Sequence, residues 1–223
     1  MLSKNNIRVI GFDLDNTLYP STPQIQERVR GKIYTILANE LGIQVEIARD
    51  LFEEAYEGNY EWSKSGSRST AHIAEMYGKV IDRDIVQEAF EQADFLELIQ
   101  SNPELVQMFN RLSEERELDL ITGSAHDMAM FKLARVGINP KIFWHRFCAE
   151  SGSKTTGEIY QTWIKARERT YHNPENMLYV GDNAKSDILV PKKLGIVTCM
   201  LGKPVPEADF NIERILDLEK ILD

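Results

Sequence analysis

Two hydrophobic rhythms divide this chain. Ile7, Val9, Ile10 and Phe12 form a short, nearly unbroken apolar run, the pattern of a strand buried on both faces. The spacing then changes. Ile25, Val29, Ile33, Ile36, Leu37 and Leu41 recur at three- and four-residue steps, which predicts a helix opened by Thr22 and Pro23 and closed at Gly42. A second helix carries Ile47, Leu51, Phe52, Ala55 and Tyr56 and stops near Gly58. The Ser- and Gly-rich stretch SKSGSRS at 63–69 separates it from further helical stretches around 70–77 and 84–99. No strand pattern interrupts this block.

From Asn102 onward helix and strand alternate. Pro103 opens a helix with Leu105, Val106, Phe109 and Leu112, and LDLIT at 118–122 reads as a short strand. Residues 128–136 are helical up to Gly137, KIFWHRF at 141–147 reads as strand or sheet edge, and 158–169 is helical. MLYVGD at 177–182 is a buried strand, a helix precedes Gly195, and IVTCM at 196–200 is another strand. Strands separated by helices of about ten to fifteen residues imply crossovers and a parallel sheet covered on both faces. The expected architecture is α/β: a doubly wound, Rossmann-like core formed by 1–19 and 99–223, with an all-helical domain, 20–98, inserted after the first strand.

Composition leaves this picture intact and narrows the partners. The 223 residues suffice for one well-buried core and a subdomain, and 43% hydrophobic with 27% charged is ordinary for a globular chain. With 35 acidic against 26 basic residues the net charge is −9, and no run of Lys or Arg offsets it locally, so nucleic acid is not an expected partner. MLSKNNIRVIGF lacks the apolar stretch and cleavage site of a secretory signal. Nothing approaches the roughly eighteen apolar residues that span a bilayer, so no membrane partner and a cytoplasmic location are expected. Cys148 and Cys199 are too few and too far apart for a metal knuckle or disulfide framework and are read as packed thiols. A monomer or homodimer is expected.

The chemistry gathers at the strand ends. In an open parallel sheet the ligand crevice lies beyond the carboxyl ends of the strands, near the switch in strand order. The first strand ends in Asp13, Leu14, Asp15, Asn16 and Thr17; the LDLI strand in Thr122, Gly123 and Ser124; the MLYV strand in Gly181, Asp182 and Asn183, with Asp187 shortly after. Lys154 lies in a loop before the 158–169 helix. Carboxylates gathered in this way repel one another unless a hard cation neutralises them, and oxygen ligands of this kind suit Mg²⁺. Lys154 and the amides around Thr122, Gly123 and Ser124 add positive character at the same point. The combination fits phosphoryl transfer, in which catalysis is chiefly placement and charge neutralisation.

The ordered set DLDNT, the threonine of ITGS, the lysine of GSK and then GDNAKSD resembles the four motifs of the haloacid dehalogenase-like hydrolases. DNTLYP followed by a helical block is similar to the branch that includes pyrimidine 5'-nucleotidases and related small-molecule phosphatases. The resemblance implies that Asp13 is the nucleophile and that Asp15 first protonates the leaving group and then activates water. It further implies that Asp13, the backbone carbonyl of Asp15 and Asp182 hold Mg²⁺, with Asp187 contributing directly, through water, or by supporting a ligand. The phosphoryl oxygens would rest against Leu14, Thr122, Gly123, Ser124 and Lys154, and the helical insertion would act as a cap. To donate a proton near neutrality Asp15 needs a pKa raised above the ordinary carboxylate value. The family's usual proline after the motif lysine is here Thr155. The dehalogenases that name the family lack an acid at the Asp15 position, so phosphate monoesters are the expected substrates. Trp62, Lys64 and Arg68, in or next to the Ser/Gly stretch, are the candidates for reading the leaving group.

Other classes compete. A signalling receiver also surrounds a phosphorylated aspartate with acids, a hydroxyl and a lysine, but it lacks the helical insertion and keeps its phosphoacceptor on a later strand. A phosphomutase or sugar-phosphate phosphatase of the same family would share every core residue. A non-catalytic phosphate-binding relative would commonly have lost one of the acids.

Overall fold

The computed structural model of the chain describes residues 6–60, 69–81, 85–170 and 172–222. It divides into two compact units, Met1–Ser21 with Ile99–Asp223, and Thr22–Leu98.

The first unit is built on a parallel sheet. Among the described residues it contains β1 (Val9–Phe12), β2 (Glu117–Ile121), β3 (His145–Phe147), β4 (Met177–Gly181), β5 (Val197–Leu201) and β6 (Phe210–Ile212). Their order is β3-β2-β1-β4-β5-β6, with Val9 in register with Glu117 on one side and Met177 on the other. The chain first builds outward from β1 through β2 and β3, then returns to add β4, β5 and β6 on the opposite side. The switch in direction therefore lies between β1 and β4, which places a crevice beyond Phe12 and Gly181.

The second unit is helical. It comprises α1 (Pro23–Leu41), α2 (Val45–Tyr56), α3 (Ser69–Met76) and α4 (Ile85–Gln92). The Thr22 hydroxyl accepts from the Ile25 amide, Pro23 occupies the first turn, and Gly42 ends α1 in the left-handed conformation at φ 71°. Its buried stripe of Ile25, Val29, Ile33, Leu37 and Leu41 packs against α2, which turns Ala48, Phe52 and Ala55 inward.

Helices α5 (Pro103–Glu115), α6 (His126–Val136) and α7 (Glu158–Glu168) belong to the α/β unit. Alternation along β1 sends its side chains to opposite faces. Phe12 meets Phe109 of α5 with ring centroids 4.6 Å apart, while Val9 joins Ile159, Tyr160 and Trp163 of α7 and Tyr179 of β4 in a buried cluster. Position 11 shares that second face with Val9, and glycine fits there because a Cβ would stand 2.4 Å from Ile121 and 2.7 Å from the Trp163 ring. Beneath these rings the Arg167 guanidinium grips both Asp119 oxygens, at 2.6 and 2.7 Å, and the Trp163 indole also donates to Asp119 at 2.6 Å.

Several boundaries depart from the sequence expectation. The 141–147 stretch forms a strand only over His145–Phe147, because Asn139 caps a tight helical turn at Pro140–Ile142 and Pro140 fixes its backbone. Helix α4 stops at Gln92 rather than reaching 99, and a separate turn covers Leu96–Leu98. The helix expected before Gly195 is a widened π-helical turn, Ala184–Leu189, running into α8 (Val190–Lys193). Strand β6 had no counterpart in the hydrophobic pattern. Cys148 and Cys199 are buried free thiols. Trp163 is a core residue, whereas Trp144 is largely exposed. No helix among the described residues is long and apolar enough to cross a membrane.

Candidate active site

The backbone turn after β1 sets the geometry. The Asp13 amide donates to the Val180 carbonyl, extending the β1–β4 pairing by one residue, and the Leu14 carbonyl then accepts from the Thr17 and Leu18 amides. Asn16 completes the reversal in the left-handed region at φ 59°, a conformation asparagine tolerates better than most residues. Its side chain ties the turn down on both sides: Nδ2 donates to Asp182 Oδ2, and Oδ1 accepts from the Ser21 amide at 3.0 Å. Leu14 is buried within the same turn.

Asp13, Asp182 and Asp187 converge at the mouth of the sheet, each offering a carboxylate oxygen within 4.8 Å of the others. Asp13 also accepts from the Thr17 hydroxyl at 3.2 Å. Asp187 is buried in the π-helical turn, where the Asn183 amide donates to it at 3.1 Å and the Ser186 hydroxyl at 3.0 Å. Its place depends on Gly181: a Cβ there would lie 2.5 Å from Asp187 Oδ2 and 2.7 Å from its Cβ. Lys154 reaches this group from its loop and bridges Asp13 at 2.5 Å and Asp187 at 2.8 Å. Its ammonium also lies 5.4 Å from the centre of the Tyr179 ring.

One lysine does not balance three carboxylates. Burial pushes the Asp13 pKa up, and the charges of Asp187 and Asp15 add to the rise against the opposing pull of Lys154. Asp182 is raised too, by burial and by Asp187, despite its bond from Asn16. For Lys154 burial works against the charge, yet Asp13 and Asp187 outweigh it and hold the ammonium well above its ordinary pKa. The surplus negative charge and all-oxygen donors make the trio a fit for a hard dication such as Mg²⁺.

Asp15 faces different company. Its Oδ1 accepts from Lys132 at 2.6 Å and from the Tyr19 hydroxyl, and its Oδ2 accepts from the Ser124 hydroxyl at 2.8 Å. The resemblance assigned Asp15 to the metal through its backbone carbonyl; its carboxylate is turned to these three donors and stands outside the acidic trio. The rise in pKa that proton donation near neutrality needs is not present in this arrangement. Burial alone would raise it, but the Lys132 charge and the bonds from Lys132, Tyr19 and Ser124 prevail and hold Asp15 below its ordinary value.

Thr122 and Ser124 are fully buried at the end of β2. The Thr122 amide donates to Phe147 at 2.9 Å, and its hydroxyl accepts from the Ser124 amide at 3.1 Å, so that amide is engaged in the turn rather than presented to a ligand. Gly123 is half-buried between them. Trp62, Lys64 and Arg68 fall outside the described residues.

The hydrophobic pattern missed Lys132, Tyr19 and Asn16. For Lys132 a signal existed: Ala129, Lys132, Leu133 and Val136 share the buried face of α6, so the lysine occupies a core position.

Comparison with known proteins places these features in a family. The model of the haloacid dehalogenase-like hydrolases matches residues 7–195. A glyceraldehyde 3-phosphate phosphatase from Methanopyrus kandleri is 25% identical over 222 residues, covering 96% of this chain and 92% of that protein. Two solved structures share the fold. A HAD phosphatase from Thermococcus onnurineus has a TM-score of 0.64 and 20% identity, covering 97% of this chain and 98% of the other. The putative HAD-hydrolase YfnB from Bacillus subtilis, bound to magnesium, has a TM-score of 0.60 and 20% identity, covering 97% and 99%. With most of its length matched by the family model, the chain belongs to the haloacid dehalogenase-like hydrolases.

Proposed function

We propose that this protein is a Mg²⁺-dependent phosphomonoesterase that acts on a small phosphorylated metabolite through an aspartyl-phosphate on Asp13. The observation that carries this reading is the separation of two carboxylate environments at one strand end: Asp13 within the Asp182–Asp187–Lys154 group, and Asp15 within a set of hydrogen-bond donors.

Asp13, Asp182 and Asp187 would hold the metal, which supplies charge neutralisation for the phosphoryl group when bound. The remaining work falls to side chains. An Asp13 oxygen attacks phosphorus, the bond from phosphorus to the ester oxygen breaks, and Asp15 passes a proton to the departing oxygen to give a free alcohol. In the second half Asp15 takes a proton from water as the water oxygen attacks phosphorus, releasing inorganic phosphate and regenerating Asp13. The ionised state in which Lys132 holds Asp15 suits this second half. For the first, the negative charge of a bound phosphate ester raises the proton affinity of the neighbouring carboxylate. Lys154, Thr122 and the two separate turns that carry Leu14 and Gly123 would surround the phosphoryl oxygens, while the Ser124 hydroxyl is engaged by Asp15.

The Methanopyrus kandleri relative makes triose and other sugar phosphates the first substrates to test. The DNTLYP stretch keeps nucleoside 5'-monophosphates in the panel, and Trp62, Lys64 and Arg68 remain the candidates for selecting among them. The decisive measurement is hydrolysis of p-nitrophenyl phosphate by wild type and Asp13→Asn, with and without EDTA. Phosphate release that requires Mg²⁺ and disappears in the variant is the expected result. Retention of the phosphoryl group on a second hydroxyl would identify a mutase, and inactivity across the whole panel a binding protein.

A further inference from the structure

Helix α6 carries a lysine where its amphipathic pattern calls for an apolar side chain. Lys132 lies on the inward face with Ala129, Leu133 and Val136, and its side chain is fully buried. A buried ammonium is unfavourable unless its surroundings meet its charge and its hydrogen bonds, and a methionine of similar length would satisfy packing alone. Lys132 Nζ donates to Asp15 Oδ1 at 2.6 Å and to Ser124 Oγ at 2.7 Å, and Ser124 Oγ donates in turn to Asp15 Oδ2 at 2.8 Å. The three groups close a triangle that holds both oxygens of one carboxylate, with the Tyr19 hydroxyl as a further donor to Oδ1. Rotation about the terminal torsion of Asp15 would break bonds to both oxygens at once.

We propose that Lys132 is a positioning residue, which with Ser124 fixes the Asp15 carboxylate in the orientation from which it exchanges a proton with the ester oxygen. The inference rests on the phosphomonoesterase reading and assigns a task to a residue outside the four motifs. Lys132 touches neither substrate nor metal in this scheme; its effect passes through Asp15. It is the counterpart of Lys154, so each acid of the DLD sequence is met by a lysine from a different part of the chain.

Leaving-group dependence tests this. An ester of p-nitrophenol departs as a stabilised phenolate with little need of a proton, whereas an aliphatic ester such as a sugar phosphate requires one. The measured quantity is kcat/KM, which reports steps up to ester cleavage and is blind to the later hydrolysis. Lys132→Met is expected to lower kcat/KM for the best aliphatic ester in the panel by roughly a hundredfold more than for p-nitrophenyl phosphate, the lower end of what general acid assistance contributes. Lys132→Arg should restore part of that difference. Equal losses on both esters, in a variant whose circular dichroism matches wild type, would overturn the inference and leave the phosphatase reading standing. If Lys132→Met does not fold, Ser124→Ala reads the same fixation from the other oxygen, with the same two outcomes. Wild type that cleaves only the aryl ester would also overturn it, because Asp15 would then be assisting no leaving group. Wild type inactive on both esters would remove the phosphatase reading and this inference with it.

Discussion

Asp13 and Asp15 are separated by a single residue, yet their carboxylates answer to different neighbours, and this difference is the chemical content of the site. The acids themselves were legible, because charged residues directly after a buried apolar run have few structural reasons to be there. Their partners were less so. A lysine within a helix is ordinarily solvated, and only its position on the inward face of α6 marks Lys132 as different. The direction of the Asp15 pKa shift turns on the same lysine: burial alone raises it, and Lys132 from the inward face of α6 reverses the sign. Gly181 offers a test of Asp187, since any side chain at that position would collide with the Asp187 carboxyl. Gly181→Ala is expected to weaken Mg²⁺ by about 10- to 100-fold, the usual effect of disturbing a ligand's support. Titrating activity with Mg²⁺ checks this, and an unchanged titration would show that Asp187 has no part in holding the ion.

Helix α7 is held to the sheet by a polar clamp as well as by Trp163 and Tyr160. Arg167 and Asp119 are both fully buried and bonded in two places, so removing Arg167 leaves the Asp119 charge in the interior with only the Trp163 indole and His145 to meet it. Arg167→Met is expected to cost about 3–5 kcal/mol in urea unfolding, while the double replacement of Arg167 by Met and Asp119 by Leu should recover much of that loss. The pair also sets a pH dependence. Burial disfavours the Asp119 charge, but His145, Arg167 and Trp163 together hold its pKa below the ordinary carboxylate value. A group depressed on folding stabilises the native state fully above its unfolded pKa of about 3.9, and that contribution is lost as pH falls through the lower folded value. Stability should therefore decline on acidification below about pH 4 more steeply in wild type than in Asp119→Asn. Strands β1, β2, β4 and β5 were readable because burial on both faces makes them mostly apolar runs, broken only by a buried Asp119 in β2 and Thr198 in β5. β6, only three residues with Asn211 at its centre, lacks such a run, and β3 was over-extended because the apolar residues at 142–144 end and follow the Pro140–Ile142 turn.

The order of strands across the sheet was not legible, since pairing between distant segments leaves no mark in a local pattern. The same order, by setting β1 beside β4, explains how positions 13, 182 and 187 come together. Among the described residues every strand partner of β1 lies in the α/β unit, and the Thr22–Leu98 unit adds none. Replacing Thr22–Leu98 with a short Gly/Ser linker is accordingly expected to leave a cooperative thermal transition by circular dichroism; a gradual one would show that the sheet depends on the helices. Placing this insert between β1 and its first neighbour also has a consequence during synthesis. β1 leaves the ribosome about a hundred residues before β2, and at about 5–20 residues per second it waits roughly 5–20 s without a neighbour. Over that interval only the helical insert is complete enough to fold, and once folded it ties its first helix to its last residues, Arg28 donating to the Asp94 carbonyl and to Glu97. A substitution that loosens α1 against α2 should therefore surface as aggregation of newborn chains, even where the mature protein melts at its usual temperature.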